Sequence, residues 1–305
     1  MIQQMYDGYS AIAGAYDRFN ADVDYERWAD FLEATFDRFL PARPHIVLDL
    51  AAGTGRMTFP LADRGYDMIG IDGSADMLAE AYEKNTARTD RLFEEALRAR
   101  GLDPDTADLT SPAAEEALAD AMSRPAPLFL QQDMRDFELY GTVDATVSCL
   151  DSINYLCGDG DLDACLACIH LYLAPGGLLV FDVNSPHKFE QVYGDRAYVL
   201  EDEDPNGRSL LCTWQNVYDP ATRLCRFYLS LFREEEDGRF SRQDEEQTER
   251  CYTEAELCDA LDRAGFDLCG IYADFDMTPA ADAPEADRWY IVARTRKQGD
   301  WYLSD

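Results

Sequence analysis

Apolar positions along this chain follow two alternating rhythms, one at helical spacing and one in short unbroken runs. Across Tyr25–Phe39, the residues Trp28, Phe31, Leu32, Phe36 and Phe39 recur every three or four positions, which is the stripe of an amphipathic helix. Pro41 and Pro44 end it. The run HIVLDLAAGTG then breaks from apolar residues into glycines and reads as a buried parallel strand entering a tight turn. Residues 56–64 read as a helix and 68–72 as a second buried strand. The alternation continues with a helix over 75–85, strands over 128–133 and 144–150, a helix over 161–173 and a strand over 178–184. This pattern predicts an α/β fold, a parallel sheet covered by helices on both faces.

Two segments interrupt it. Residues 86–127 are polar and rich in Ala, Asp and Arg, with helices expected over 90–100 and 113–122 between Pro104, Pro112 and Pro125; they read as a helical excursion. Residues 197–252 lack a helical period. They alternate as strands separated by Asp219-Pro220 and Asp237-Gly238, which predicts an antiparallel sheet inserted after the fifth strand. A helix over 254–264, closed by Gly265, and strands over 267–274 and 288–296 complete the chain. The expected organisation is a core of 1–196 and 253–305, with N-terminal lid helices, and an insertion of 197–252. The insertion would roof a substrate pocket through Trp214, Tyr228, Arg250 and Tyr252, or form a dimer contact through alternate residues of LCRFYLSLF.

Charge narrows the partners. Sixty Asp and Glu against 27 Lys and Arg give a net charge of −33, a field that repels phosphate backbones and anionic membrane surfaces. Neither nucleic acid nor membrane is an expected partner. The start MIQQMYDGYS has no basic, apolar leader pattern, and no apolar run approaches the ~18 residues of a membrane span, so a cytoplasmic location is expected. Nine cysteines, an odd number, lie mostly in apolar segments and imply no disulfide framework. Cys165 and Cys168 form a C-x-x-C, but it sits on an amphipathic helix without a second ligand pair. His45, His170 and His187 are scattered, so no metal site is expected.

The chemistry concentrates at strand ends. Asp49 leads into Ala51, Ala52, Gly53, Thr54 and Gly55, and Asp72 ends the next strand. Small residues let a ligand lie against the backbone, and an acid on the neighbouring strand tip can accept both ribose hydroxyls, so a nucleoside-bearing ligand is expected. A dinucleotide turn would carry a third glycine where this chain has Thr58, which counts against a nicotinamide oxidoreductase. Asp133, in QQDMRD, could read an adenine amino group, and Met77 could lie over a purine.

Together these segments resemble the class I S-adenosylmethionine-dependent methyltransferases, as does LAPGGLLVFDVN at 173–184. The segments around Tyr16-Asp17, Trp28, CLDSINY at 149–155 and DEEQTERCY at 244–252 resemble a bacterial group acting on small molecules. The resemblance implies a doubly wound, seven-stranded, mostly parallel Rossmann-like sheet whose last strand is antiparallel. It implies S-adenosylmethionine as cofactor: Asp49, Ala51, Gly53, Thr54 and Gly55 around the methionine portion, Asp72 and Gly73 at the ribose, and Asp133, Met134 and Met77 at the adenine. Leu150 would line the opening to a small-molecule acceptor. Aromatic faces can stabilise a sulfonium, with Tyr9, Tyr16 and Trp28 as candidates. If the acceptor must lose a proton, Tyr16, Asp151, Tyr155, Arg250 and Tyr252 are the catalytic candidates. Two departures stand out: Gln247 occupies a place where many relatives carry His, and the 86–127 excursion is extra. The expected function is methyl transfer to an N or O acceptor by a monomer or homodimer. The alternatives are a cofactor-binding protein without activity and, less favoured, the oxidoreductase.

Overall fold

The computed structural model describes residues 13–204 and 206–299. It opens with α1 (Ala13–Phe19) and α2 (Tyr25–Phe39). Asp24 caps α2 by accepting the Arg27 amide at 3.0 Å, and the helix buries Trp28, Phe31, Leu32 and Phe36 as its spacing predicts. β1 (Ile46–Leu50), α3 (Thr58–Asp63), β2 (Asp67–Asp72), α4 (Ala75–Ala99), α5 (Pro112–Ser123), β3 (Leu128–Gln131) and β4 (Val143–Ser148) follow. After α6 (Asp161–Tyr172) and β5 (Leu173–Asn184), a π-helical turn (Lys188–Tyr193) leads into β6 (Ala197–Glu203), β7 (Ser209–Asp219), β8 (Leu224–Glu234) and β9 (Phe240–Arg250). The described chain closes with α7 (Glu254–Ala264), β10 (Phe266–Tyr272) and β11 (Arg288–Thr295).

Seven strands form one sheet in the order β10-β11-β5-β4-β1-β2-β3. β3, β2, β1, β4 and β5 run parallel to one another, whereas β11 runs antiparallel to both β5 and β10. Strand order reverses between β1 and β4, and this is where a crevice opens at the carboxyl edge of such sheets. One apolar cluster lies on each face: Leu48, Leu50, Phe181 and Phe266 pack with α6 and α7, and Val47, Met68, Val180 and Val292 pack with α2 and α3. The sheet is therefore buried on both sides, which is why its strands read as unbroken apolar runs.

β6 to β9 make a separate four-stranded antiparallel sheet. Its strands alternate as the sequence predicts: Cys212, Cys225, Phe227, Leu229 and Leu231 are buried with Phe189 and Tyr193 against the inner face. The alternate apolar residues of β8 that could have furnished a dimer face are thus occupied within the chain's own core. Tyr228, expected to face inward, points to the outer face and is 40 % exposed.

The excursion differs from expectation. A single α4 replaces the two helices expected over 75–85 and 90–100. Its first turn is capped by Ser74, and no Gly or Pro interrupts it before Gly101, which takes the left-handed conformation after the helix end. Arg88, 6 % exposed at the middle of α4, pairs with Asp63 at 2.8 Å and anchors the stretch where a break was expected. α5 packs on the far half of α4 through Leu97, Ala114 and Ala117. Among the described residues, no helix is long and apolar enough to cross a membrane.

Candidate active site

A cavity of about 400 Å³ opens at the carboxyl ends of β1, β2, β3 and β4, a size suited to a small organic ligand. Its floor is the turn after β1. Ala51 adopts a positive φ of 62°, followed by Gly53 at 55° and Gly55 at 79°. For Ala this conformation costs on the order of 1 kcal/mol, so the turn is held by its surroundings. The Ala52 amide donates to the Ile71 carbonyl, and the Gly53 amide donates to the Asp72 carboxylate at 2.7 Å. A side chain at Gly53 would press on Met77, 3.1 Å away. At Gly55 it would strike the Phe59 ring, so Gly55, which is not on the cavity wall, serves helix packing.

Asp72 accepts from Ser74 N–H at 2.8 Å through its other oxygen, so two backbone amides fix the carboxylate at the cavity wall. Burial raises its pKa, and the amides of Ser74 and Gly53 oppose that rise. Asp49, 1 % exposed, accepts a hydrogen bond from Thr58 at 2.6 Å. Burial pushes it up to about 7, against the lowering effect of Thr58. Asp133 lies across the cavity beside Met134, Gln131 and Gln132, and the Arg135 guanidinium, paired with it at 2.6 Å, holds its pKa below the usual value. Ala51, Thr54, Gly73, Met77, Leu150 and Tyr155 also line the cavity.

α1 covers it. Tyr16 faces in, and burial together with nearby acids drives its phenol far above the ordinary range, so it carries a neutral hydroxyl. Asp17, the next residue, accepts from Thr54 Oγ1 at 2.6 Å and pairs with Lys84 and Arg56. Lys84 in turn donates to the Thr54 carbonyl at 3.1 Å. On the other side Arg18 pairs with Asp202 of β6 at 3.4 Å, so α1 spans from the glycine turn to the inserted sheet. Tyr9 lies outside the described residues.

Besides Gly55 and Asp151, which do not line the cavity, three expected site residues lie elsewhere. Trp28, 5 % exposed, stacks among Phe31, Phe275 and Tyr290 with centroid distances of 5.1 to 6.4 Å, because the amphipathic stripe of α2 faces the core. Tyr252 is buried in the core and donates its hydroxyl to the Leu156 carbonyl. Arg250 pairs with Glu256 at 3.3 Å beside a shallow separate cleft. Strand parity explains it: Gln247 and Glu249 are buried on β9, so Arg250 takes the other face.

Tyr155 donates to Gln247 Oε1 at 2.9 Å, which joins the main fold to the inserted sheet. Asp151 is adjacent to the wall residues Leu150 and Ser152 but directs its carboxylate to Arg288, at 2.7 Å. The sequence reading missed Arg288 and its second partner, Asp182, although a carboxylate inside the apolar run LLVFDVN required a buried partner. It also missed Tyr25, Arg56 and Ser152 on the cavity wall. His187 pairs with Asp287 at 3.1 Å, away from the cavity. Among the described residues no group of His, Cys, Asp and Glu could hold a metal, and all nine cysteines are unbridged.

The pattern of the methyltransferase-domain family matches residues 18–270. YqeM of Bacillus subtilis (strain 168), a candidate methyltransferase by its name, is 30 % identical over 95 % of this chain and 98 % of its own. The dTDP-3-amino-3,6-dideoxy-alpha-D-glucopyranose N,N-dimethyltransferase of Streptomyces fradiae is 26 % identical over 77 % of this chain and 78 % of its own. In fold, the chain is similar to an S-adenosylmethionine-dependent methyltransferase from Clostridium acetobutylicum ATCC 824. The TM-score is 0.70 at 24 % identity, over 95 % of this chain and 99 % of the other. The domain match, the full-length relative and the strand order converge: this chain belongs to the methyltransferase-domain family, the class I S-adenosylmethionine-dependent methyltransferases that its motifs resemble.

Proposed function

We propose that the protein methylates a small-molecule amine, with S-adenosylmethionine held in the cavity at the end of β1, β2 and β3. One observation carries the reading: acids stand at the tips of β1 and β2, with a third just past β3, around a turn in which Gly53 takes a positive φ and lies against Met77. This arrangement fits the cofactor. Asp72 would accept the ribose hydroxyls, Asp133 with Met134 and Met77 would surround the adenine, and the turn from Ala51 to Thr54 would border the methionine portion. Asp49 sits where a nearby cation would favour its ionised form.

The cofactor supplies a methyl group on a positively charged sulfur, transferred in line to a nucleophile as the carbon–sulfur bond breaks. The chain's part is alignment and exclusion of water. Tyr16, held by α1, roofs the cavity with a neutral hydroxyl and an aromatic face suited to a cation. Leu150 and Tyr155 border the side toward the inserted sheet, where the acceptor would enter. An amine is favoured over an oxygen acceptor because the Streptomyces fradiae relative is named for N-methylation of an amino sugar.

Calorimetry with S-adenosylmethionine, S-adenosylhomocysteine and NAD tests the cofactor. The first two should bind and NAD should not. Turnover is then assayed with dTDP-3-amino-3,6-dideoxyglucose and with a panel of amines and phenols. Absence of binding to both sulfur ligands would overturn the reading.

A further inference from the structure

Among the described residues, the cavity is lined by four carboxylic acids, Asp49, Asp72, Asp133 and Asp136, and by two cations, Arg56 and Arg135. Such a wall favours the positive centres of S-adenosylmethionine, its sulfonium and its α-ammonium, and repels its one carboxylate. That carboxylate needs a cation whose own partners leave it donors to give. Arg135 does not qualify. Its Nε and Nη2 donate to Asp133 at 2.9 and 2.6 Å, and its Nη1 reaches Asp161 at 3.3 Å.

Arg56 is held differently. It follows the glycine turn after β1, and the acid paired with it, Asp17 of α1, stands at 3.7 Å, an ion pair too long for a hydrogen bond. Asp17 is itself taken up by Thr54 Oγ1 at 2.6 Å and by Lys84. The Arg56 guanidinium lies over the Tyr25 ring, 4.4 Å from its centroid, and 31 % of the side chain is accessible. Tyr25, the first residue of α2, is 7 % exposed and lines the same cavity, yet its hydroxyl has no hydrogen-bond partner. Buried polar groups in folded proteins are nearly all paired, so an orphan of this kind beside a cavity marks a place for a ligand atom. Burial pushes the Tyr25 phenol up to about 12 against the lowering pull of Arg56, so near neutral pH it remains a hydroxyl with a proton to donate.

The position along the sheet agrees. β1, β2 and β3 are successive neighbours, so the ends of β1 and β3 lie roughly 10 Å apart. Arg56 belongs to the β1 end, with Asp49 and Thr54, and Asp133 with Arg135 to the β3 end. Building on the function proposed above, we propose that Arg56, with the Tyr25 hydroxyl as second donor, seats the α-carboxylate of S-adenosylmethionine and makes the protein discriminate against ligands that lack this group. A planar guanidinium can give two parallel N–H bonds to one carboxylate, and stacking on Tyr25 holds the plane in place.

Calorimetry on the full chain with S-adenosylmethionine, decarboxylated S-adenosylmethionine and S-adenosylhomocysteine tests the seat without an acceptor. Decarboxylation removes one group and leaves the adenine, ribose, sulfonium and amine in place. The quantity read is the Kd of the decarboxylated ligand divided by that of S-adenosylmethionine. From wild type to Arg56→Gln this ratio should fall by at least about 10-fold, the range of charge-assisted hydrogen bonds. S-adenosylhomocysteine, which carries the same carboxylate, should weaken in that variant too. Arg56→Lys keeps the charge without the fork and should fall between the two. Tyr25→Phe keeps the ring beneath Arg56 and should lower the ratio by about 5-fold. Loosening of α1 through the lost Asp17 pair, or damage to the fold, would weaken all three ligands alike and leave the ratio where it was. An unchanged ratio in Arg56→Gln would therefore overturn the proposal, and an unchanged ratio in Tyr25→Phe would remove the hydroxyl from the seat. A wild type that binds neither S-adenosylmethionine nor S-adenosylhomocysteine overturns the cofactor reading and the seat with it; one that binds both, with no loss in Arg56→Gln, overturns the seat alone.

Discussion

The glycine turn after β1 and the inner face of the inserted sheet border the same region of the molecule but are built in opposite ways. The turn is made of backbone: amides of Ala52, Gly53 and Ser74 fix its shape and orient Asp72, and side chains there are small because space is scarce. The inserted sheet is made of side chains, with Gln247 and Glu249 reaching from β9 to Tyr155 and Asn184 on the main fold. Backbone geometry suits a ligand that never changes. Side chains on a strand face can be exchanged singly without disturbing the ladder, which under the proposed function would let the inserted sheet tune the choice of acceptor.

Several measurements would break or sharpen that contrast. Trp28→Ala, in the core beneath the site, should lower stability by about 3–5 kcal/mol, the usual range for removing a large buried aromatic. Chemical denaturation would show it, and any folded fraction should bind S-adenosylmethionine normally. Asp72→Ala removes charge-assisted hydrogen bonds of roughly 1.5–3 kcal/mol each and should raise the Kd for S-adenosylmethionine by at least about 100-fold by calorimetry. Unchanged affinity would break the assignment of the turn as the cofactor side. Affinity should also weaken as pH falls below about 7, because protonation of Asp49 removes the charge that a cationic ligand favours. Calorimetry between pH 5.5 and 8.5 checks the sign, and the dependence should vanish in Asp49→Asn. Tyr155→Phe deletes one neutral hydrogen bond, costing about 1 kcal/mol. It should raise the acceptor KM and leave cofactor affinity unchanged; an equal loss of both would show that the two regions are not separable. The smallest effect belongs to Ala51→Gly. It relieves a left-handed alanine and should shift stability by less than about 1 kcal/mol, since glycine's unfolded-state entropy opposes the gain.

The main sheet was legible because strands buried on both faces leave unbroken apolar runs, and its strand-end acids were legible because the turn between them has a fixed form. Other features were hidden for stated physical reasons. Trp28 belongs to a stripe that reads the same whether it faces a core or a ligand, and only the arrival of Phe275 and Tyr290 decides between them. Arg250 was misplaced by one step of strand parity, which brings Glu249 inward instead, and Tyr252, past the end of β9, is taken up by the core of the main fold. The continuity of α4 was in part legible, since no Gly or Pro interrupts it, but the Arg88–Asp63 pair that anchors its middle to α3 is a contact that local pattern does not contain. The Asp151, Asp182 and Arg288 cluster joins residues more than a hundred positions apart and has no local signature.

The position of α1 has a kinetic consequence. Asp17 ties this short helix to Thr54, Lys84 and Arg56, and Arg18 ties it to Asp202, so uncovering the cavity means parting ion pairs on both flanks. Partly exposed pairs of this kind weaken as ions screen them, with a Debye length of about 8 Å at physiological ionic strength. Ligand exchange should therefore quicken with added salt, and an enzyme whose turnover waits on product departure would run faster in a saltier medium.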